Sequence, residues 1–130
     1  MNGKLAIDTN AVIAYREGNY NIGDLIENAD LLFFSVIVLG ELLYGAINST
    51  QVHKNKQAVQ ILLSYSILIP IDEPIAIRYA NIRLNLKNIG RPIPENDIWI
   101  AASCLELGLP LLTIDSHFDH IQDLKVIKWE

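Results

Sequence analysis

Leu31-Leu-Phe-Phe-Ser35 runs straight into Val36-Ile-Val-Leu-Gly-Glu41-Leu-Leu-Tyr-Gly45-Ala-Ile47, and the reading of this stretch decides the fold. Four consecutive apolar residues, two of them aromatic, are what a strand buried on both faces of a sheet requires. Ser35 can accept a hydrogen bond from a backbone N–H of the following turn, so the series from Val36 to Ile47 reads as a helix that starts where the strand stops. A strand that feeds a helix without a linker is half of a βαβ unit.

The unit recurs in both directions. Upstream, Lys4-Leu-Ala-Ile7 reads as a short strand, Asp8-Thr9-Asn10 as helix-starting residues, and Ala11 to Arg16 as a helix. Asn19 to Gly23 carries turn residues, which predicts a loop before a short amphipathic stretch from Asp24 to Glu27. Downstream, Gln51 to Tyr65 has helical apolar spacing with a polar outer face. Ile67-Leu-Ile-Pro-Ile71 reads as a strand that Pro70 pushes to a sheet edge. Asp72-Glu73-Pro74 opens a helix whose periodic residues Ile75, Tyr79, Ile82 and Leu86 run to Gly90. After the proline-containing connection Arg91 to Glu95, Asp97 heads an apolar helix Ile98 to Leu107, stopped by Gly108. Leu109 to Ile114 and Leu124 to Trp129 read as two last strands. Strands alternate with helices throughout, which predicts an α/β domain with a central parallel sheet covered on both faces.

The chain has 130 residues, enough for one domain spanning 1–130. With 51% apolar residues, 7 Gly and 5 Pro, it is neither disordered nor fibrous. A lone cysteine, Cys104, excludes an internal disulfide and a thiolate metal site. The N-terminus shows no basic segment leading into a long apolar run, and the apolar stretches Leu31–Leu39 and Ile61–Ile71 fall short of the ~20 residues of a membrane helix. A cytoplasmic protein without a membrane span is expected. The formal charge of −5 lacks the basic footprint of a protein that holds nucleic acid by phosphate neutralisation alone. A polyanionic partner would need another source of positive charge.

In an open parallel sheet the functional crevice lies at the carboxyl ends of the strands. Three strands end there in aspartate: Ile7-Asp8, Ile71-Asp72 and Ile114-Asp115. Two are near copies, Ile-Asp-Thr-Asn at Asp8 and Ile-Asp-Ser-His at Asp115. Helix capping alone could account for any one of them. Glu41 is harder to dismiss, being the only charged residue between Phe34 and His53, because a carboxylate in so apolar a helix is costly unless something pairs with it. Asp97 repeats the situation at the head of Ile98-Trp-Ile-Ala-Ala102. If Asp8, Glu41, Asp97 and Asp115 converge, each pair at 4 Å repels by about 4 kcal/mol at an effective dielectric near 20. A divalent cation supplies the compensation. Oxygen donors without His or Cys favour Mg²⁺ or Mn²⁺ over zinc, and such a centre can bind a phosphodiester and activate water.

At these residues the chain resembles the PIN-domain ribonucleases of the VapC toxin type. The resemblance spans essentially the whole chain and is carried by Ile7-Asp8-Thr9-Asn10, Val38-Leu-Gly-Glu41-Leu-Leu-Tyr-Gly45, Pro94-Glu-Asn-Asp97-Ile-Trp-Ile-Ala-Ala102 and Leu112-Thr113-Ile-Asp115-Ser-His-Phe118. It implies a three-layer α/β/α PIN-like domain with four or five parallel strands. It also implies Mg²⁺-dependent endonucleolytic cleavage of RNA by metal-activated water, with Mn²⁺ a possible substitute. The counterparts of Asp8, Glu41, Asp97 and Asp115 form the acidic metal site in that family, Asp8 and Asp97 being the usual direct ligands, with Thr113 or Asp119 in support. Further implied are an RNA substrate, inhibition of translation, a cognate antitoxin that occludes the site, and a homodimer. Asp72 matches no family ligand and reads as a cap.

Basic residues available to an RNA backbone are Arg16, Lys54, Lys56, Arg78, Arg83, Lys87 and Arg91. Arg91, beside the proline loop before Asp97, is the first choice for substrate binding, with Thr113 second. His53, His117 and His120 follow no metal-ligand spacing, although His117 stands close enough to Asp115 to touch substrate. Trp99, Phe118 and Trp129 read as packing residues, and Cys104 as a small buried one. Two other functions compete with the nuclease. A phosphotransfer domain with Asp8 as nucleophile would want a second acid where Asn10 stands. A non-catalytic PIN-like module would bind RNA or protein without cutting.

Overall fold

The computed structural model describes residues 3–129. Five parallel strands, β1 (Lys4–Ile7), β2 (Leu31–Ser35), β3 (Ile67–Ile69), β4 (Leu111–Leu112) and β5 (Val126–Ile127), pair in the order β3-β2-β1-β4-β5. Six helices flank them in a three-layer arrangement: α1 (Thr9–Arg16), α2 (Tyr20–Glu27), α3 (Val36–Ile47), α4 (Val52–Ser64), α5 (Glu73–Asn88) and α6 (Glu95–Leu107). This is the α/β/α parallel-sheet fold that the strand-to-helix alternation predicts.

The local signals act as the chemistry of caps and runs requires. Ser35 Oγ accepts from the Ile37 N–H at 3.0 Å, and β2 passes into α3 with no intervening residue. Pro70 falls just beyond β3, which is an edge strand as expected. Gly108 stops α6 at φ 66°, in the left-handed region that glycine enters without a Cβ penalty.

The structure departs from the sequence expectations at several points. Asn19 to Gly23 is not a loop, because the Asn19 side chain accepts from the Ile22 N–H and starts α2 at Tyr20; asparagine's capping ability outweighs its turn preference here. Helix α6 begins at Glu95, two residues before Asp97, so Asp97 lies in the first turn with its carboxylate unspent on a cap. The final strands are shorter than the apolar runs that encode them, and Ile114, the last residue of one run, is exposed. A 3₁₀ turn over Ser116–His120, for which the sequence gives no periodic signal, follows Asp115. Burial on both faces is also incomplete in β2, where Leu31 at the strand's start is 43% exposed.

One hydrophobic cluster joins the sheet to the helices, with Ile7, Phe34, Val38, Ile100, Leu111, Leu112 and Phe118 essentially inaccessible. Phe118 and Trp129 are core residues, as read, and Trp99 stacks on Tyr79 with ring centroids 3.9 Å apart. Cys104 is buried in α6, and burial pushes its thiol up to about 12, so it stays protonated and inert at neutral pH. Among the described residues no helix is long and apolar enough to cross a membrane.

The strand order sets the position of the site. The chain builds outward from β1 to β2 and β3 on one side, then returns to place β4 and β5 on the other, so the direction of winding reverses between β1 and β4. That reversal opens a crevice at the carboxyl edge. Asp8 N–H bonds Leu112 O at 3.1 Å and Thr113 N–H bonds Ile127 O at 3.1 Å, which sets Asp8 and Thr113 side by side at its floor. Asp72 follows β3, two strands away from β1, where its side chain accepts from the Ile75 N–H at the start of α5. Replacing Asp72 by Ala is expected to cost about 1 kcal/mol of stability, read by chemical denaturation, and to leave activity at the parent level. Lost activity in folded protein would show that Asp72 is more than a cap.

Candidate metal centre

Asp8 is the innermost acid, 5% exposed. One carboxylate oxygen takes the Thr9 N–H at 2.8 Å, the interaction that starts α1, and the other takes the Thr113 hydroxyl at 2.7 Å and the Asn10 amide at 3.3 Å. Burial raises its pKa to about 6 against the lowering pull of these donors, with smaller contributions from the negative charges of Asp97 and Glu41. Capping and site-building are therefore the same act at Asp8.

Glu41 reaches the crevice from α3, where Val38, Leu42 and Ala46 face the core and Glu41 sits at the edge of that face, half-buried. It is not a stray solvent-facing charge. Thr9 Oγ1 donates to it at 2.7 Å, and the Asn96 amide at 3.4 Å. Asp97 enters from the first turn of α6 with a side chain only 13% exposed. Its pKa is raised by burial, opposed by a hydrogen bond from His117, and raised again by Asp115 and Glu41. Asp115 stands at the head of the 3₁₀ turn and accepts from the His117 N–H at 2.9 Å. The His117 ring bridges the two acids, with Nδ1 2.8 Å from Asp97 and 3.0 Å from Asp115, and its pKa is raised chiefly by the Asp97 bond.

The four acids found in the sequence are linked electrostatically through two of them: the charges of Asp97 and Glu41 act on Asp8, and those of Asp115 and Glu41 act on Asp97. Asp97, Asp115 and His117 each present a ligand atom, all within 4.8 Å of one another, close enough to hold a metal ion. The donor set fits a hard divalent cation: it is dominated by carboxylate oxygen, and the upward shifts at Asp8 and Asp97 mark negative charge that burial leaves under-compensated.

Several contributors have roles that the sequence reading missed or gave differently. His117 belongs to the acidic cluster although no metal-ligand spacing marks it, and its only local signal is its position two residues after Asp115. Thr9, Asn10 and Asn96 hold the carboxylates, and the hydroxyl and amide following Asp8 were the visible hint. Thr113, read both as a support of the metal site and as a substrate contact, is fully buried with its hydroxyl on Asp8, so it positions the carboxylate rather than meeting solvent. Thr113→Val keeps the shape and removes the donor, and is expected to weaken activating-metal affinity by about 10–100-fold, measured by metal titration of activity. Parent affinity would mean that the bond to Asp8 is dispensable. Asp119, the other supporting residue considered, is instead paired with Lys128 at 3.0 Å.

Among the cations, Arg78 pairs with Glu106 and Arg83 with Glu95, which removes them from the residues free to meet a phosphate. Arg91 is exposed.

Fold and site together define a class: a parallel α/β/α domain with a carboxylate-rich, cation-ready centre at the switch point of its sheet. The sequence matches the PIN domain family over residues 5–124, and the chain belongs to that family. It is 32% identical over 129 residues to Ribonuclease VapC1 of Haemophilus influenzae strain R2866, covering 95% of this chain and 96% of the relative. Among solved structures it is similar to VapBC-1 from nontypeable Haemophilus influenzae, with TM-score 0.84, 31% identity, and 97% and 98% of the two chains covered. It is also similar to VapBC2 from Rickettsia felis bound to a DNA fragment from their promoter, with TM-score 0.88, 26% identity, and coverage of 98% and 99%.

Proposed function

We propose that this protein is a Mg²⁺-dependent endoribonuclease, the toxin of a VapBC-type toxin–antitoxin pair, acting as a single domain in the cytoplasm with Asp8, Glu41, Asp97 and Asp115 as its metal-binding and catalytic carboxylates. The observation that supports the reading is the acidic cluster around Asp97, with Asp115 and His117 within ligand distance and Asp8 and Glu41 within electrostatic reach, in a PIN-domain chain whose relatives are named ribonucleases. A non-catalytic module has no use for buried carboxylates held at this electrostatic cost. A phosphotransfer domain would need its nucleophile open to attack, whereas Asp8 is buried with both oxygens accepting hydrogen bonds.

Asp8 and Asp97 would hold the cation directly, with Glu41 and Asp115 completing the shell. A bound divalent cation supplies charge neutralisation at a phosphodiester and lowers the pKa of water. The chain's own residues do the rest. Thr113 and Asn10 fix the Asp8 carboxylate, Thr9 and Asn96 fix Glu41, and His117 orients Asp97 and Asp115. Arg91 is assigned to the RNA backbone near the head of α6. The partners are an RNA substrate, a cognate antitoxin and a second copy of the chain, and the similarity of the fold to VapBC toxin–antitoxin structures supports the antitoxin.

The test is cleavage of a mixed RNA pool by purified, antitoxin-free protein in EDTA, in Mg²⁺ and in Mn²⁺, with Asp8→Asn alongside. Cutting that needs both metal and Asp8 is the expected result. Absence of cutting under every condition would transfer the reading to the binding module.

A further inference from the structure

The acidic crevice does not end at Glu41. A groove of about 320 Å³ continues from it between α1 and α3, lined by Thr9, Ile13 and Arg16 on one wall and by Glu41, Leu42 and Gly45 on the other. Thr9 and Glu41 belong to both the groove and the metal centre, where the Thr9 hydroxyl donates to Glu41. Thr9, Ile13 and Arg16 follow an i, i+4, i+7 spacing, so they share one helix face, with Arg16 about 10 Å along the axis from Thr9.

Three features bear on what this groove receives. Among the described residues no carboxylate lies within 4 Å of the Arg16 guanidinium, in contrast to Arg78, Arg83 and Lys128, although Glu17 also lines the groove. The Arg16 side chain is exposed at the mouth of the groove, and partial desolvation of its guanidinium lowers its pKa against a raising contribution from Tyr65. Gly45 leaves the α3 wall open, since a Cβ built there meets nothing within 4 Å. The groove thus has Glu41 at one end, apolar side chains in the middle, and the Arg16 guanidinium, with Glu17 beside it in sequence, at the other.

We propose that this groove is a subsite for the RNA strand flanking the cleaved bond, in which Arg16 binds a neighbouring phosphate. The inference rests on the nuclease reading. The scissile phosphate belongs at the acidic centre with the cation, and the strand must leave that centre across a surface whose net charge is −5. Arg16 offers the next phosphate a partly desolvated guanidinium able to bind its oxygens in bidentate fashion. Ile13 and Leu42 offer apolar surface to the sugar and base between the two phosphates.

Two variants test this, one by charge and one by shape. Arg16→Gln removes the cation, and Gly45→Leu fills the groove from a helix position that tolerates a side chain and gains helix propensity. Both are assayed on a mixed-sequence single-stranded RNA with Mg²⁺ over a range of salt concentrations. The expected result is a KM at least fivefold higher in each, with the smaller change in kcat. Arg16→Gln should also reduce the slope of log KM against log salt by about 0.7, the loss of one single-strand phosphate contact. Parent KM and parent salt slope in both folded variants would overturn the proposal. So would weakened binding of the cognate antitoxin with unaltered RNA kinetics, which would give the groove to the protein partner. If the parent protein does not cut, the nuclease reading fails by itself. Fluorescence anisotropy with the same RNA, labelled, then decides the subsite: weaker binding by both variants supports it, and equal binding overturns it.

Discussion

Asp97→Asn is expected to lower Mg²⁺-dependent RNA cleavage by on the order of 10²–10³-fold while the fold is retained. Asp97 occupies the first turn of α6, where no cap bond depends on it, so the amide replaces the carboxylate without loss of a helix start. Its charge acts on Asp8, and its own pKa is raised by burial, Asp115 and Glu41, so its removal divides the acidic centre rather than trimming its rim. The His117 ring loses one of its two anionic partners and keeps Asp115 at 3.0 Å. Single-turnover cleavage at saturating Mg²⁺, beside a circular-dichroism melt, separates chemistry from stability. A folded variant that cuts at the parent rate would remove Asp97 from the site.

The second large effect is on stability without metal. Asp8→Asn is expected to raise the melting temperature in EDTA at pH 8, against the usual sign for a buried polar substitution. The folded-state pKa of Asp8, about 6, lies above its unfolded value of 3.8, so the fold disfavours the ionised form. A carboxyl raised in this way destabilises the metal-free protein fully above pH 6. The penalty shrinks as pH falls from 6 towards 3.8 and is absent below that range. The shift corresponds to about 3 kcal/mol at most. Relaxation of the crevice reduces this, and a rise of roughly 5–10 °C at pH 8 is expected. Asparagine keeps the acceptor for the Thr9 N–H, so the start of α1 survives. The advantage should vanish by pH 4, and added Mg²⁺ should stabilise the parent by mass action and the variant little. A variant no more stable than the parent at pH 8 in EDTA would contradict the burial penalty on the ionised Asp8 carboxylate.

The two predictions share an origin. Burial and mutual repulsion make the acids unfavourable neighbours until a cation joins them, so the site is held against its own electrostatics by the sheet and helix starts that carry it. Thr113, Asn10, Thr9 and Asn96 offset part of that cost by donating to the carboxylates. Stability and activity are expected to move in opposite directions at these positions, as is common where function requires strained charge.

Local chemistry was legible in the order of residues. The apolar run Leu31–Phe34, the cap Ser35 and the helix Val36–Ile47 are each written in adjacent residues, because burial periodicity and capping act over one or two turns. The same holds for Asp8 at a strand end and for Glu41 as an isolated charge in an apolar helix, and the resemblance of the surrounding segments joined them to Asp97 and Asp115. What short-range patterns did not contain was the distinction among three strand-end aspartates. Asp8, Asp72 and Asp115 look alike in sequence, and strand order separates them: β4 pairs with β1, which brings Asp115 to the crevice, while β3 lies at the far edge and leaves Asp72 a cap. His117's place in the cluster was likewise decided only in three dimensions, as was the partner of Thr113, which the resemblance had already offered as a support of the site. His117 acquires its role by reaching Asp97, 20 residues away, and Thr113 by reaching Asp8, 105 residues away. Sequence by itself determined which elements form and which carboxylates are costly to bury. The tertiary structure decided which of them meet, because the energy of charge placed beside charge depends on distance in space, and distance across a sheet is set by strand pairing.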